Sequence, residues 1–111
     1  MFILLADAKG TTDDEGHLEI VQPAIADRNV TFRFTPTNYS EPHSVSLHYY
    51  PNTETSPDSL VGVPVQITYN DINRNLLLIT YAQVEMNNKF ICVKYNNKTC
   101  GSKTILELIG K

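Results

Sequence analysis

The chain has 111 residues, of which 41% are hydrophobic and 19% are charged, and its formal net charge at pH 7 is −3. This length and balance predict one globular domain, residues 1–111, with a single core, and they argue against a disordered chain. The sequence contains no run of Lys or Arg, so it lacks the positive patch that binds phosphate backbones. We therefore expect no nucleic-acid partner.

Residues 1–17 are predicted to form an N-terminal strand followed by an acidic loop. Residues 1–6 (MFILLA) are too short and too uncharged for a complete signal peptide. No stretch reaches the roughly 20 apolar residues of a membrane span, so we expect no membrane insertion by this segment. Residues 10–17 (GTTDDEGH) combine Gly with acidic side chains and predict a solvated loop.

Residues 18–109 have the pattern of successive short strands. Pro23 interrupts the first run and suits an edge strand that changes its partner sheet. Val30, Phe32 and Phe34 then alternate with polar residues, which predicts a half-buried strand. Further strands are predicted at residues 45–50, at 61–69 with an interruption at Pro64, at 76–79, at 90–95 and at 104–109. This spacing, without any helical period, predicts an all-β sandwich or barrel.

The second half of the sequence narrows this choice. Leu77, Ile79, Ala82 and Phe90 precede Cys92 at the spacing of the inward residues of strands E and F in immunoglobulin domains. Residues 100–108 (CGSKTILEL) resemble the Phe-Gly-x-Gly-Thr-x-Leu-x-Val strand that closes antibody variable domains. From about residue 18 to residue 109, the chain thus resembles the V-set of the immunoglobulin superfamily. The resemblance implies an immunoglobulin-like Greek-key β-sandwich.

The chain departs from the V-set pattern at its usual core markers. Phe34 stands where the strand B cysteine is expected, Leu47 replaces the core Trp, Phe90 replaces the corner Tyr, and Met86 replaces an Asp. The usual disulfide between the two sheets therefore cannot form, and apolar side chains can fill the vacated volume.

The two cysteines flank a turn near residue 96. This placement makes Cys92 and Cys100 opposite partners across the hairpin of strands F and G, and we predict a disulfide between them. The alternative is two free buried thiols.

Among V-set domains, those that lack the usual disulfide and Trp resemble the outermost domains of the allorecognition receptors of colonial hydroids. That resemblance implies a self-binding module at the cell surface. Certain viral immunoglobulin-like glycoproteins diverge in the same way, and no motif in this sequence separates the two. We interpret the chain as one module of a longer, membrane-anchored ectodomain.

Three sequons support an extracellular location. Asn29, Asn38 and Asn97 each begin an Asn-x-Ser/Thr triplet, about twice the number that chance would give at this composition. The even cysteine count is consistent with an oxidising compartment. The alternative is that these are chance sequons on an Asn-rich surface.

The alternation of inward and outward side chains along the strands predicts a protein-binding face. If the inward residues of strands F and G are Phe90, Cys92, Leu106 and Leu108, their neighbours along these strands point outward, together with alternate residues of strand C. The predicted face consists of Ser46, His48, Tyr50, Ile91, Val93, Tyr95, Ile105 and Glu107. Exposed apolar and aromatic side chains of this kind mark interfaces, and we expect homophilic binding. Alternatively, β-branched residues occupy these positions for strand propensity alone.

No residue constellation indicates an enzyme, a metal site or a cofactor. His17, His43 and His48 have no metal-ligand spacing, and the run Asp13-Asp14-Glu15 lacks the spaced ligands of a calcium loop. We expect surface histidines and a solvated acidic turn. The remaining alternative from another functional class is a structural spacer among stacked modules.

Overall fold

The computed structural model describes residues 10–21, 23–41, 44–52 and 59–110. The nine strands are β1 (Gly10–Asp13), β2 (Gly16–Ile20), β3 (Asn29–Pro36), β4 (Val45–Tyr49), β5 (Val61–Val63), β6 (Gln66–Asn70), β7 (Asn75–Tyr81), β8 (Lys89–Tyr95) and β9 (Gly101–Leu106). One 3-10 turn, Val84–Met86, lies between β7 and β8. No helix in the described ranges is long and apolar enough to cross a membrane.

The strands form two antiparallel sheets. The five-stranded sheet has the order β1-β2-β3-β7-β6, and the four-stranded sheet has the order β5-β4-β8-β9. In immunoglobulin lettering, β2, β3, β7 and β6 correspond to A, B, E and D, whereas β5, β4, β8 and β9 correspond to C′, C, F and G. The protein is therefore an all-β, immunoglobulin-like sandwich, as the sequence predicted.

The core lies between the sheets and draws side chains from both. On the five-stranded sheet, Phe32 and Phe34 of β3 are fully buried, as the alternation in that strand predicted. The other large buried side chains of this cluster are Leu18, Ile20, Val30, Leu76 and Leu78 from the same sheet, and Leu47, Ile91, Val93, Tyr95 and Leu106 from the other. Met86 is buried at the turn before β8 and adds to the same cluster.

The chain changes sheets where proline was predicted to interrupt it. After β2, Ile25 forms a parallel bridge with Ile109, which follows β9 in the four-stranded sheet. The backbone N–H of Ala26 donates to the Ile109 carbonyl (3.2 Å). The run at residues 61–69 likewise divides at Pro64 into β5 and β6, which belong to different sheets.

The segment predicted as an acidic loop is instead a hairpin. β1 pairs with β2 from Gly10 opposite Glu19 to Asp13 opposite Gly16. Gly16 has φ +149°, and a Cβ there would lie 2.4 Å from the Thr35 carbonyl oxygen, so the turn requires glycine. The sequence analysis missed this strand because β1 (GTTD) contains no apolar side chain that could alternate with its polar ones. The predicted strand at residues 1–6 lies outside the described residues.

The predicted register of β7 is wrong by one residue. Leu77 and Ile79 were expected inside, but Leu76 and Leu78 are the fully buried ones, whereas Leu77 and Ile79 lie half-buried on the opposite face. β7 is apolar on both faces, so its alternation does not identify the inner one. Ala82, just beyond the strand, is buried as predicted.

Candidate binding faces of the sandwich

The three β8 residues predicted to line a binding face are in the core. Ile91, Val93 and Tyr95 are all buried between the sheets. The Tyr95 ring lies 5.8 Å from the Phe34 ring, and its hydroxyl donates to the Ser40 carbonyl oxygen (2.7 Å). The prediction that they are exposed is therefore wrong. It assumed that Cys92 points inward like the usual strand F cysteine, and Cys92 points the other way.

The face that β8 does turn outward is here named the disulfide face. It consists of Ser46, His48, Tyr50, Phe90, Cys92, Lys94, Cys100, Lys103 and Ile105. Of the predicted face residues, Ser46, His48, Tyr50 and Ile105 thus lie on it. Tyr50 is buried within it, whereas Ile105 is 43% exposed and Glu107, beyond the end of β9, is exposed.

The predicted disulfide is present and forms the centre of this face. Cys92 and Cys100 are bonded, with their Cα atoms 5.4 Å apart, and neither is free. Together with Tyr50 they form a second buried cluster, against which Leu60 and Phe90 pack. The sandwich therefore has a small apolar cluster outside its main core, held by a covalent bond between β8 and the residue before β9.

Basic side chains surround this cluster. The Lys103 ammonium lies 5.4 Å from the centroid of the Tyr50 ring, a cation–π distance. The hydroxyl of Ser46 is 2.7 Å from Nε2 of His48. Burial and, to a lesser degree, the charge of Lys94 lower the pKa of His48. At neutral pH, His48 is therefore uncharged, and the positive charge of this face comes from the two lysines.

A carboxylate fastens the β1–β2 turn to the edge of the disulfide face. Asp13 accepts hydrogen bonds from the backbone N–H (2.5 Å) and hydroxyl (3.2 Å) of Ser102 and from the N–H of Glu15 (2.9 Å). Partial burial by itself raises the pKa of Asp13, but these hydrogen bonds outweigh it, so that the pKa is lowered. Asp13 thus fastens the acidic turn to β9, although Asp13 and Asp14 are both largely exposed.

Ser102 is part of a bulge in β9. Ile91 pairs with Thr104 and Val93 with Gly101, so two residues of β9 oppose Cys92. Ser102 has φ +59° and is fully buried. A bulge here lets β9 carry Cys100 to its partner while Leu106 stays in the core.

The three sequon asparagines are all exposed, at two ends of the domain. Asn38 follows β3, and Asn97 is in the β8–β9 turn, where its Oδ1 accepts a hydrogen bond from the Ser44 hydroxyl (3.1 Å). Both therefore belong to the end at which the β3–β4 and β8–β9 loops meet. Asn29 begins β3 at the far end and lies opposite Tyr81 of β7.

Sequence reasoning missed an apolar stripe on the outer face of the five-stranded sheet. It consists of Leu77, Ile79 and Tyr81, with Tyr81 51% exposed. Val21, 37% exposed, lies nearby because its N–H donates to the carbonyl of Thr31, the partner of Ile79. The only signal in the sequence was that residues 76–79 are all apolar, so that one pair had to face outward.

The described ranges contain no group of three or more His, Cys, Asp or Glu side chains placed to hold a metal ion. Nδ1 of His17 lies 2.6 Å from the Thr12 hydroxyl, and Nε2 lies 3.3 Å from the Glu19 carboxylate. His43 lies outside the described residues. No model of a known protein family matches the chain, and no curated protein matches its sequence.

Proposed function

We propose that this chain is an extracellular V-set recognition module that binds another protein through the disulfide face, with a second copy of itself as the leading partner. The observation that carries the proposal is the second apolar cluster. It places Phe90 and the exposed Ile105 on the outside of a sheet. Apolar and aromatic side chains in that position are typical of interface centres.

Two backbone features support the V-set assignment. The parallel pairing of Ile25 with Ile109 brings the chain after β2 against the end of the last strand, and the last strand carries a bulge at Ser102. That bulge falls within the segment that resembles the Phe-Gly-x-Gly strand of variable domains. The proposed cell-surface role rests on the same resemblance. It makes allorecognition receptors the class of protein that we propose.

The rigidity of the disulfide face favours binding. The bond between Cys92 and Cys100 holds the hairpin, and Tyr50 and Cys92 are already buried in the unbound domain. Tyr50 and Cys92 therefore lose little side-chain entropy when a partner covers the disulfide face, and this increases affinity.

The distribution of charge favours a second copy as the partner. Lys94 and Lys103 lie on the disulfide face, while the turn with Asp14 and Glu15 adjoins its β9 edge and lines the same shallow cavity as Lys103. In a two-fold arrangement, each lysine pair can face the acidic turn of the other copy. The complementarity lies within one surface, as an isologous interface requires.

The proposed glycans at Asn29 and Asn38 leave the disulfide face open, whereas Asn97 lies in the turn that joins β8 and β9, the two strands of that face. Asn29 lies on the other sheet, and Asn38 and Asn97 lie in loops at one end. The sequons and the disulfide together support secretion, because both modifications belong to the secretory pathway.

Sedimentation of the glycosylated domain over a wide concentration range tests the proposal. We expect reversible dimers, and we expect Ile105→Asp to weaken dimerisation at least tenfold, because it places a charge in the interface centre. Ile72→Asp is the matched control, since Ile72 is 92% exposed in the β6–β7 turn, away from the disulfide face.

Two results would contradict the proposal. A domain that stays monomeric at every concentration would contradict self-binding and favour the spacer alternative. Equal weakening by both substitutions would show that association does not use the disulfide face.

A further inference from the structure

The apolar stripe on β7 requires a second explanation, since it lies on the sheet opposite the proposed binding face. Ile79 and Tyr81 point away from the core, and the Tyr81 ring is half-exposed at the end of the strand. Half-exposed aromatic and branched side chains in one row carry a hydration cost that a covering group would remove.

The register places a sequon directly beside this stripe. Asn29 pairs with Tyr81 and Thr31 pairs with Ile79, in adjacent antiparallel strands. Side chains opposite each other in such a pair share one face, with Cβ atoms about 5 Å apart. Both essential residues of the Asn29 sequon therefore stand next to the apolar stripe.

We propose that the N-glycan on Asn29 lies across Tyr81 and Ile79 and covers this stripe, so that the sugar forms part of the folded domain. The inference rests on the proposed extracellular location, because the modification occurs only in the secretory pathway. The C–H face of a pyranose ring is apolar and packs on an aromatic ring, and Tyr81 presents its ring at the distance of a cross-strand neighbour.

The covalent step is ordinary N-glycosylation. Nδ2 of Asn29 attacks C1 of a lipid diphosphate-linked oligosaccharide; the N–C1 bond forms, the C1–O bond to the diphosphate breaks, and the transferase accepts the amide proton. Thr31 supplies the hydroxyl that the transferase recognises. In the fold, Asn29 is exposed and Thr31 is half-buried.

The other sequons have different surroundings. Asn38 is in a bend and Asn97 is at the tip of a two-residue turn, where it has φ +63°. Neither stands opposite a strand residue in the register. A glycan at Asn38 is thus a natural comparison: it adds the same sugar mass without the cross-strand Tyr.

The test uses the 111-residue chain secreted from eukaryotic cells behind a cleavable leader. Site occupancy is measured by mass spectrometry, and thermal unfolding is compared for the wild type, Asn29→Gln, Tyr81→Ser and the double variant. We expect Asn29 to be modified and Asn29→Gln to lower the Tm by about 4 °C, the size of one aromatic contact in a domain of this length. Tyr81→Ser should cost less in the Asn29→Gln background than in the glycosylated one.

Asn38→Gln is the control, and it should leave both the Tm and the effect of Tyr81→Ser unchanged. Nuclear Overhauser effects between the first sugar and the Tyr81 ring should be present in the wild type. An unmodified Asn29, or equal Tyr81→Ser losses with and without the glycan, would overturn the inference. Failure of the domain to dimerise would overturn the binding proposal alone. The coupling between the Asn29 glycan and Tyr81 is measured within one chain and does not depend on dimerisation.

Discussion

The two faces of β8 belong to two different clusters of the domain. Its inner face carries Ile91 and Val93, which are buried against the other sheet. Its outer face carries Phe90 and Cys92, which belong to a separate cluster with Tyr50. The inner face holds the two sheets together because it buries apolar side chains between them. The outer face holds the β8–β9 hairpin together through a covalent bond. A cysteine in strand F can therefore stabilise the outer surface of an immunoglobulin-like domain instead of its core.

Truncation of one residue on each face of β8 tests this difference most directly. We expect Ile91→Ala to lower the free energy of unfolding by about 3 kcal/mol, because it leaves a cavity between the sheets. Phe90→Ala should cost only about 1 kcal/mol, although it removes more atoms, because the ring is already partly in water. Urea unfolding measures both. The reverse order would mean that Phe90 faces the core.

A second, smaller effect is expected from the disulfide. The pair Cys92→Ala and Cys100→Ala should lower the free energy of unfolding by about 2.5 kcal/mol through lost loop-closure entropy, because the bond closes a loop of about nine residues. The sequence separation is 8, and the bond lies outside the main cluster, so the domain should still fold. Circular dichroism and chemical unfolding check this. Loss of the folded state on reduction alone would show that the outer cluster supports the core.

The smallest effect concerns the attachment of the β1–β2 turn to the edge of the disulfide face. Asp13→Ala removes the acceptor of the buried Ser102 N–H and should cost about 1 kcal/mol, whereas Asp14→Ala, which changes an exposed side chain, should cost almost nothing.

Asp13 also predicts that the stability of the domain depends on pH. The folded domain lowers the pKa of Asp13, so its stabilising contribution is complete above the ordinary value of 3.8 and is lost as the pH falls below it. The wild type should therefore lose more stability than Asp13→Ala on acidification. Urea midpoints from pH 7 to pH 2 measure the difference, and parallel curves would contradict the assigned hydrogen bonds.

Several features could be predicted from the sequence because their signals are local. The alternation of Val30, Phe32 and Phe34 assigned the inner face of β3, since only one face of that strand is apolar. Pro64 divided β5 from β6 because proline cannot donate to a sheet ladder. The turn near residue 96 predicted that Cys92 and Cys100 lie close together, since a hairpin brings together residues at similar distances from its turn.

The orientation of β7 and β8 depends on tertiary packing. Leu76 to Ile79 and Phe90 to Val93 are apolar at every position, so a period of two fits either register equally well. The choice depends on which residues meet across the sandwich: Phe34 contacts Tyr95, and Leu76 pairs with Phe34 in the neighbouring strand. These contacts join residues distant in sequence. Local signals therefore predicted most of the strands and the disulfide, although not β1, and long-range packing decided which side chains of β7 and β8 became core and which became surface.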